Sequence, residues 1–261
     1  MQRDAAADVR VIDTRLPLEW LNTNEDSIST AGRALALIAS REGADVVQTS
    51  SAALLAGAEF EQPCVAVQHS CVATWWAAVK DTRLPDDFEW RRDLVARGLA
   101  KADAIVAPTR AFAAATERAY DLGQRVLPVY NGRSMPTVVP LPQGDFVFTA
   151  GRLWDEGKNV HTLDEAAADI DAPFQAAGAT SGPNGATAML NHISELGQLS
   201  DTRIAGLLAA RPVFASAALY EPFGLSVLEA AQAGCALVLS DIATHRELWD
   251  GAAMFVDPHD H

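Results

Sequence analysis

Short, nearly continuous apolar runs alternate with longer alanine-rich stretches through most of this 261-residue chain. The apolar runs predict strands at 9–13, 45–48, 64–68, 104–107, 125–129, 146–150, 174–177, 213–215, 237–239 and 254–256. Between them, helical segments are expected over 31–40, 88–100, 110–120, 159–168, 202–210 and 225–233. Strands that are apolar on both faces need cover on both faces, and helical crossovers supply it. The alternation therefore predicts an α/β chain of parallel sheets flanked by helices. Helical spacing is plain in Ile204, Leu207 and Leu208, with Ser200 or Asp201 placed to cap the segment's start.

Pro136, Pro140, Pro142 and Gly144 crowd into residues 133–145. Proline at that density stops helices and central strands alike, so the stretch reads as a linker between residues 1–140 and 145–261. Residues 178–185, with Gly178, Gly182, Pro183 and Gly185, read as a flexible loop beside a strand end, where ligands bind in open α/β sheets.

Charge narrows the partners. Lys and Arg total 20 against 34 acids, a formal net charge of -14. Such a chain is a poor non-specific ligand for nucleic acid or an anionic membrane surface. An anionic ligand would need a local cluster of cations and amides. Cys64, Cys71 and Cys235 form no C-x-x-C pair and read as buried thiols of a reducing compartment. The polar start Met1-Gln2-Arg3-Asp4 carries no signal-peptide core, and no run reaches transmembrane length, so a cytoplasmic location is expected.

The segment Tyr220-Glu221-Pro222-Phe223-Gly224-Leu225-Ser226-Val227-Leu228-Glu229 carries the most specific chemistry. A Pro-Phe-Gly turn opens an apolar helix, whose start offers unpaired amides and partial positive charge to a phosphate. Glu221 before that start and Glu229 within the helix can accept hydroxyl hydrogen bonds on either side. Phosphate flanked by hydroxylated groups describes a nucleotide sugar. The ordinary alternative is a capping box, Ser226-x-x-Glu229, with Glu221 as a solvated loop acid.

Gly151-Arg152, then Lys158, follow the strand at 146–150. Two cations there can clamp a diphosphate, or they are simply exposed loop charges. His69 ends the apolar strand at 64–68, at the mouth of a parallel sheet, and is either a site residue or a structural one. Trp75 and Trp76 can stack on a sugar or pack into the core. Asn131-Gly132 offers positive-φ geometry for a sharp exit into the linker, and Thr244-x-x-Glu247 reads as a capping box. No metal site is expected, because the Asp257, His259, Asp260 and His261 tail fixes no coordination geometry and no DxD-like pair ends a strand. Dehydrogenase, kinase and α/β-hydrolase signatures are absent.

In this order, the His69 strand, the Asn131-Gly132 exit, Arg152 with Lys158, and Glu221-x7-Glu229 resemble the retaining GT-B-fold glycosyltransferases of family 4. The strand that runs into Ala107-Pro108-Thr109 resembles another segment of that family's first domain. The resemblance implies two Rossmann-like domains, 1–140 on the acceptor side and 145–261 holding the donor. It implies a nucleotide-diphosphate sugar as donor substrate, no other cofactor, and a glycan, lipid or small-molecule acceptor. It further implies that Arg152 and Lys158 neutralise the diphosphate in place of a metal. Glu221 would bind sugar hydroxyls, Glu229 the ribose, and His69 would position the sugar. The amides around Phe223, Gly224 and Leu225 would contact phosphate or sugar.

Compared with the family, both domains read as incomplete at their outer ends. That leaves a non-catalytic or fragmentary nucleotide-sugar-binding module as the alternative to a transferase. A phosphorylase or epimerase of the same fold is a third reading. The first would tolerate loss of Lys158 or Glu221, and the others would act with free phosphate or without an acceptor alcohol.

Overall fold

Valine, isoleucine and alanine runs gather into two sheets in the computed structural model, which describes residues 9–17, 19 and 24–260. The first half contains α1 (Glu25–Arg41), β1 (Val47–Thr49), α2 (Ala53–Ala56), β2 (Cys64–Val67) and α3 (Val72–Val79). It continues with α4 (Asp86–Lys101), β3 (Ala104–Ala107), α5 (Arg110–Tyr120) and β4 (Val126–Pro128). Its four strands pair in sequence order, all parallel.

The second half holds β5 (Val147–Ala150), a 3₁₀ turn (Glu156–Lys158), α6 (Val160–Asp169), β6 (Phe174–Ala177) and β7 (Ser194–Glu195). After α7 (Asp201–Leu208) come β8 (Val213–Ser216), α8 (Leu225–Ala233), β9 (Ala236–Ser240), α9 (Ala243–Trp249) and β10 (Met254–Val256). These six strands run in the order β10-β9-β8-β5-β6-β7, again all parallel. The order reverses between β5 and β8. Loops leaving the carboxyl ends of two such strands diverge and open a crevice, the usual ligand position in an open α/β sheet. Irregular chain from 129 to 146 joins the halves.

Each half has its own core. Leu55, Leu94, Leu99 and Ile105 are fully buried in the first, Phe148, Phe214, Leu208 and Leu239 in the second. Phe148 and Phe214 meet edge to face at 6.1 Å, locking β5 to β8 just below the crevice. Gly98 lets α4 lie directly on α2, since a Cβ there would stand 1.7 Å from the Ala52 carbonyl oxygen. No helix among the described residues is long and apolar enough to cross a membrane.

Several local expectations differ from the structure. Residues 9–13 form no strand: no described strand pairs with them, and Val9 and Val11 are 65% and 83% exposed. Alternating side chains do not make a strand where no neighbour accepts its backbone. Neither Asn131 nor Gly132 has positive φ. Residues 178–185 are held by hydrogen bonds from Gly182 N to Ala186 O and from Ala188 N to Thr180 O, each 2.8 Å, and by a bridge between Ser181 and Thr187. Ser200 does cap α7, accepting from the Arg203 amide.

Candidate active site

The crevice is built from the loops after β5 and β8. Beyond β5 the chain presents Gly151 and Arg152, turns through the 3₁₀ segment, and ends it at Lys158. Asp155 sets this loop: its Oδ1 accepts from the Gly157 amide at 3.0 Å and its Oδ2 pairs with the Arg152 guanidinium at 2.8 Å. Asp155 is nearly buried while Arg152 is well exposed, so the guanidinium is anchored from beneath and open to solvent above.

Beyond β8, residues 220–224 lead into α8. Gly224 occupies the helix N-cap at φ 87°, where a side chain would be strained, and no side chain bonds to the first amides of the helix. Those amides have no acceptor within the helix either. Lys158 Nζ forms an ion pair with Glu221, both well shielded from water. Glu229 lies further into α8 and accepts at 2.6 Å from Nε of Arg133, which also pairs with Asp201 at 2.9 Å.

His69, Arg152, Lys158, Glu221, Phe223, Gly224, Leu225 and Glu229, all singled out from sequence, line one cleft of about 490 Å3. Ser70, Pro108 and Asn131 complete its wall from the first half. His69 lies just beyond β2 and is exposed. A second hollow of about 480 Å3 shares Ala150, Gly151, Arg152 and Ile204 with the cleft and extends past Trp154, Gly178 and Gln198. Fully buried His245 bonds through Nδ1 to Ser240 at 3.1 Å. Burial pushes its imidazole below the ordinary value, while the Glu221 charge opposes that shift and Lys158 adds to it.

The ordinary capping alternatives do not hold. Gly224, not Ser226, begins α8, so Glu229 is too deep in the helix to close a capping box. Glu247 caps a different helix, in the other half. Its carboxylate accepts from the amides of Arg110 (2.8 Å) and Ala111 (2.6 Å) at the start of α5, and from the Tyr130 hydroxyl at 2.8 Å. Trp75 packs against the first core and donates Nε1 to Asp155 Oδ1 at 3.0 Å, across the halves. Trp76 donates to the Thr82 carbonyl and packs on Phe88.

Sequence reading passed over Tyr220 as a contact. Its ring belongs to the first half's core and meets Phe112 edge-on at 6.0 Å. Its hydroxyl bonds to Thr74 Oγ1 at 2.8 Å and donates to Ser70 Oγ at 3.2 Å. Burial pushes this phenol well above its ordinary value, so it stays protonated. Thr109 Oγ1 donates to the Pro222 carbonyl at 3.1 Å. The loop that opens α8 is thus fastened to the first half on both sides of Glu221. Arg133 and Asp155 were also missed. An isolated charge in a linker or loop carries no local pattern, and only the three-dimensional partner gives it a role.

Two parallel-sheet halves that face each other over one cleft constitute the GT-B fold. The structure of sucrose-phosphate synthase from Thermosynechococcus elongatus superposes with a TM-score of 0.72 at 19% identity, covering 90% of this chain and 66% of that one. HepE of Anabaena, solved with UDP-glucose, gives 0.67 at 19% identity, covering 90% of this chain and 69% of HepE. A glycosyltransferase from Rickettsia africae gives 0.58 at 15% identity, covering 92% and 69%. The present chain therefore spans about two thirds of the length of these proteins. No curated protein matches it in sequence. Residues 144–261 match the family described as glycosyl transferases group 1, and residues 2–134 match glycosyltransferase family 4. The chain belongs to glycosyltransferase family 4.

Proposed function

We propose that the chain is a retaining glycosyltransferase that moves a sugar from a nucleotide-diphosphate sugar to an acceptor hydroxyl. One observation carries this reading: Arg152, Lys158, the uncapped start of α8, and the carboxylates Glu221 and Glu229 converge on a single cleft. A diphosphate across that helix start meets two cations and a set of free amides, each charge-assisted bond contributing roughly 1.5–3 kcal/mol. Glu221 accepts hydroxyls of the transferred sugar, and Glu229 accepts those of the ribose. His69 orients the sugar from the opposite wall. The second hollow shares Gly151 and Arg152 with the cleft, which supports it as the site of the base. The complex of HepE with UDP-glucose supports a nucleotide sugar as donor.

In the transfer step the bond from the anomeric carbon to phosphate oxygen breaks, and its electron pair leaves with the nucleoside diphosphate. The acceptor oxygen bonds to the same face of that carbon. The acceptor's proton passes to the departing phosphate oxygen, and configuration is retained. Arg152 and Lys158 stabilise the charge that develops on the diphosphate, the task a metal ion performs in other transferases. Lys158 is paired with Glu221, so donor binding redistributes an existing contact.

The test is a thermal-shift panel of UDP-, GDP- and ADP-sugars with and without EDTA, on wild type and Lys158→Ala. The expected outcome is a metal-independent shift with one nucleotide that the variant loses, followed by transfer with retention at the anomeric carbon. A strict divalent-ion requirement would count against the roles given to the two cations. Binding without transfer to any acceptor would leave a nucleotide-sugar-binding module, and no shift at all would remove the donor site.

A further inference from the structure

Arg133 belongs to the irregular chain between the two sheets, yet it is bound on three sides by the second half. Its Nε donates to Glu229 Oε1 at 2.6 Å, its Nη2 pairs with Asp201 at 2.9 Å, and its carbonyl accepts from Gln232 Nε2 at 2.9 Å. Glu229 and Gln232 are three residues apart and share a face of α8, so the helix grips the linker at two points. Glu229 keeps only 12% of its side-chain surface and lines the cleft, while Arg133 itself is not part of the cleft wall.

We propose that Arg133 is a positioning residue that aims the Glu229 carboxylate at the ribose of the donor, which deepens the reading of that site given above. A carboxylate offers about four lone-pair positions, and Arg133 takes one on Oε1. The planar guanidinium is held from its other side by Asp201, so the bond from Nε fixes the position of Glu229 Oε1. What remains is a fixed acceptor able to take both hydroxyls of a vicinal diol. Because the guanidinium comes from the linker, the aim of the ribose acceptor depends on the path of the chain between the halves.

The experiment measures dissociation constants by calorimetry for UDP, GDP and ADP, each against its 2′,3′-dideoxy counterpart. The proteins are wild type, Arg133→Gln, Arg133→Lys, Glu229→Gln and the Arg133→Gln/Glu229→Gln double variant. Wild type is expected to prefer the ribonucleotide by about tenfold or more, the effect of one hydrogen bond to a charged group. Arg133→Gln is expected to reduce that preference to within about threefold while dideoxynucleotide affinity stays unchanged. Arg133→Lys, which keeps the charge without the fork, should recover part of it. The double variant should behave like Glu229→Gln alone.

An Arg133→Gln protein that loses affinity for both nucleotides equally, or keeps the full preference while Glu229→Gln loses it, overturns the positioning role alone. A wild type without ribose preference overturns the ribose reading of Glu229 and this proposal together. If Arg133→Gln does not fold, Arg133→Lys alone decides: an undiminished preference there overturns the proposal and a partial loss supports it.

Discussion

At the scale of single residues, Glu229 and Gly224 separate ligand chemistry from folding. Glu229 caps nothing, so Glu229→Ala should weaken nucleotide binding by about 1–3 kcal/mol, with a smaller fall in unfolding midpoint from the lost Arg133 ion pair. A variant that melts early and still binds normally would return Glu229 to a structural role. Gly224→Ala should act on both quantities. Its φ of 87° is strained for alanine, and a Cβ would sit 3.3 Å from both Glu221 Cγ and Val227 Cγ2. The expected cost is about 1–2 kcal/mol of stability together with reduced donor affinity. Residues of this kind were legible in the sequence because their meaning lies in short spacings. Arg133 was not: its partner Glu229 stands 96 positions away, and nothing local to either residue announces the pair.

At the scale of elements, the strands and the longer helices followed from hydrophobic runs, and four short elements did not. α2 is only four residues long, and β7 consists of Ser194 and Glu195 with no apolar pattern. α3 is almost wholly apolar and has no side-chain cap, so neither periodicity nor a start signal marks it. α9 was hidden by a misassigned cap, because Thr244 and Glu247 both lie inside the helix. Asp164 on α6 shows what element pairing adds. Its carboxylate accepts from the amides of Asn191, His192 and Ile193, and so fastens the chain before β7 to the helix. Burial alone would raise its pKa, but these amides, with the charge of His192, hold it below the ordinary value. A folded pKa below the unfolded one contributes stability that is present above about pH 4 and is lost as pH falls further. Asp164→Asn should cost about 2–3 kcal/mol near neutral pH and flatten the acid limb of a denaturant-midpoint profile. An unchanged acid limb would assign the titration elsewhere.

At the scale of the whole molecule, the halves are joined by more than a linker. Tyr220 from the second half sits in the first half's core, and Glu247 from the second half caps α5 of the first. Tyr220→Ala removes a buried ring and its hydroxyl bonds, a loss of about 3–5 kcal/mol. Calorimetry should then resolve two transitions, with the first half melting earlier, where a single one is expected of wild type. A single transition that merely shifts would mean that the remaining contacts couple the halves. Glu247→Ala should give a smaller effect, about 1–2 kcal/mol, and should expose the Arg110 and Ala111 amides to hydrogen exchange. The two-sheet plan could be read from strand and helix alternation. The clasp between the sheets could not, since a tyrosine beside a glutamate gives no hint of the core it enters.

The place of Tyr220 also bears on synthesis. The first sheet ends at Pro128, but Tyr220, whose ring completes its core, is translated only after β8, the fourth strand of the second sheet. A ribosome-bound chain ending near residue 140 therefore carries β1 to β4 and still has a gap where the ring belongs. Domains usually fold in turn as they emerge. Here the first should stay sensitive to protease on stalled nascent chains until residue 220 has cleared the exit tunnel, so that the vectorial order of translation and the order of completion differ.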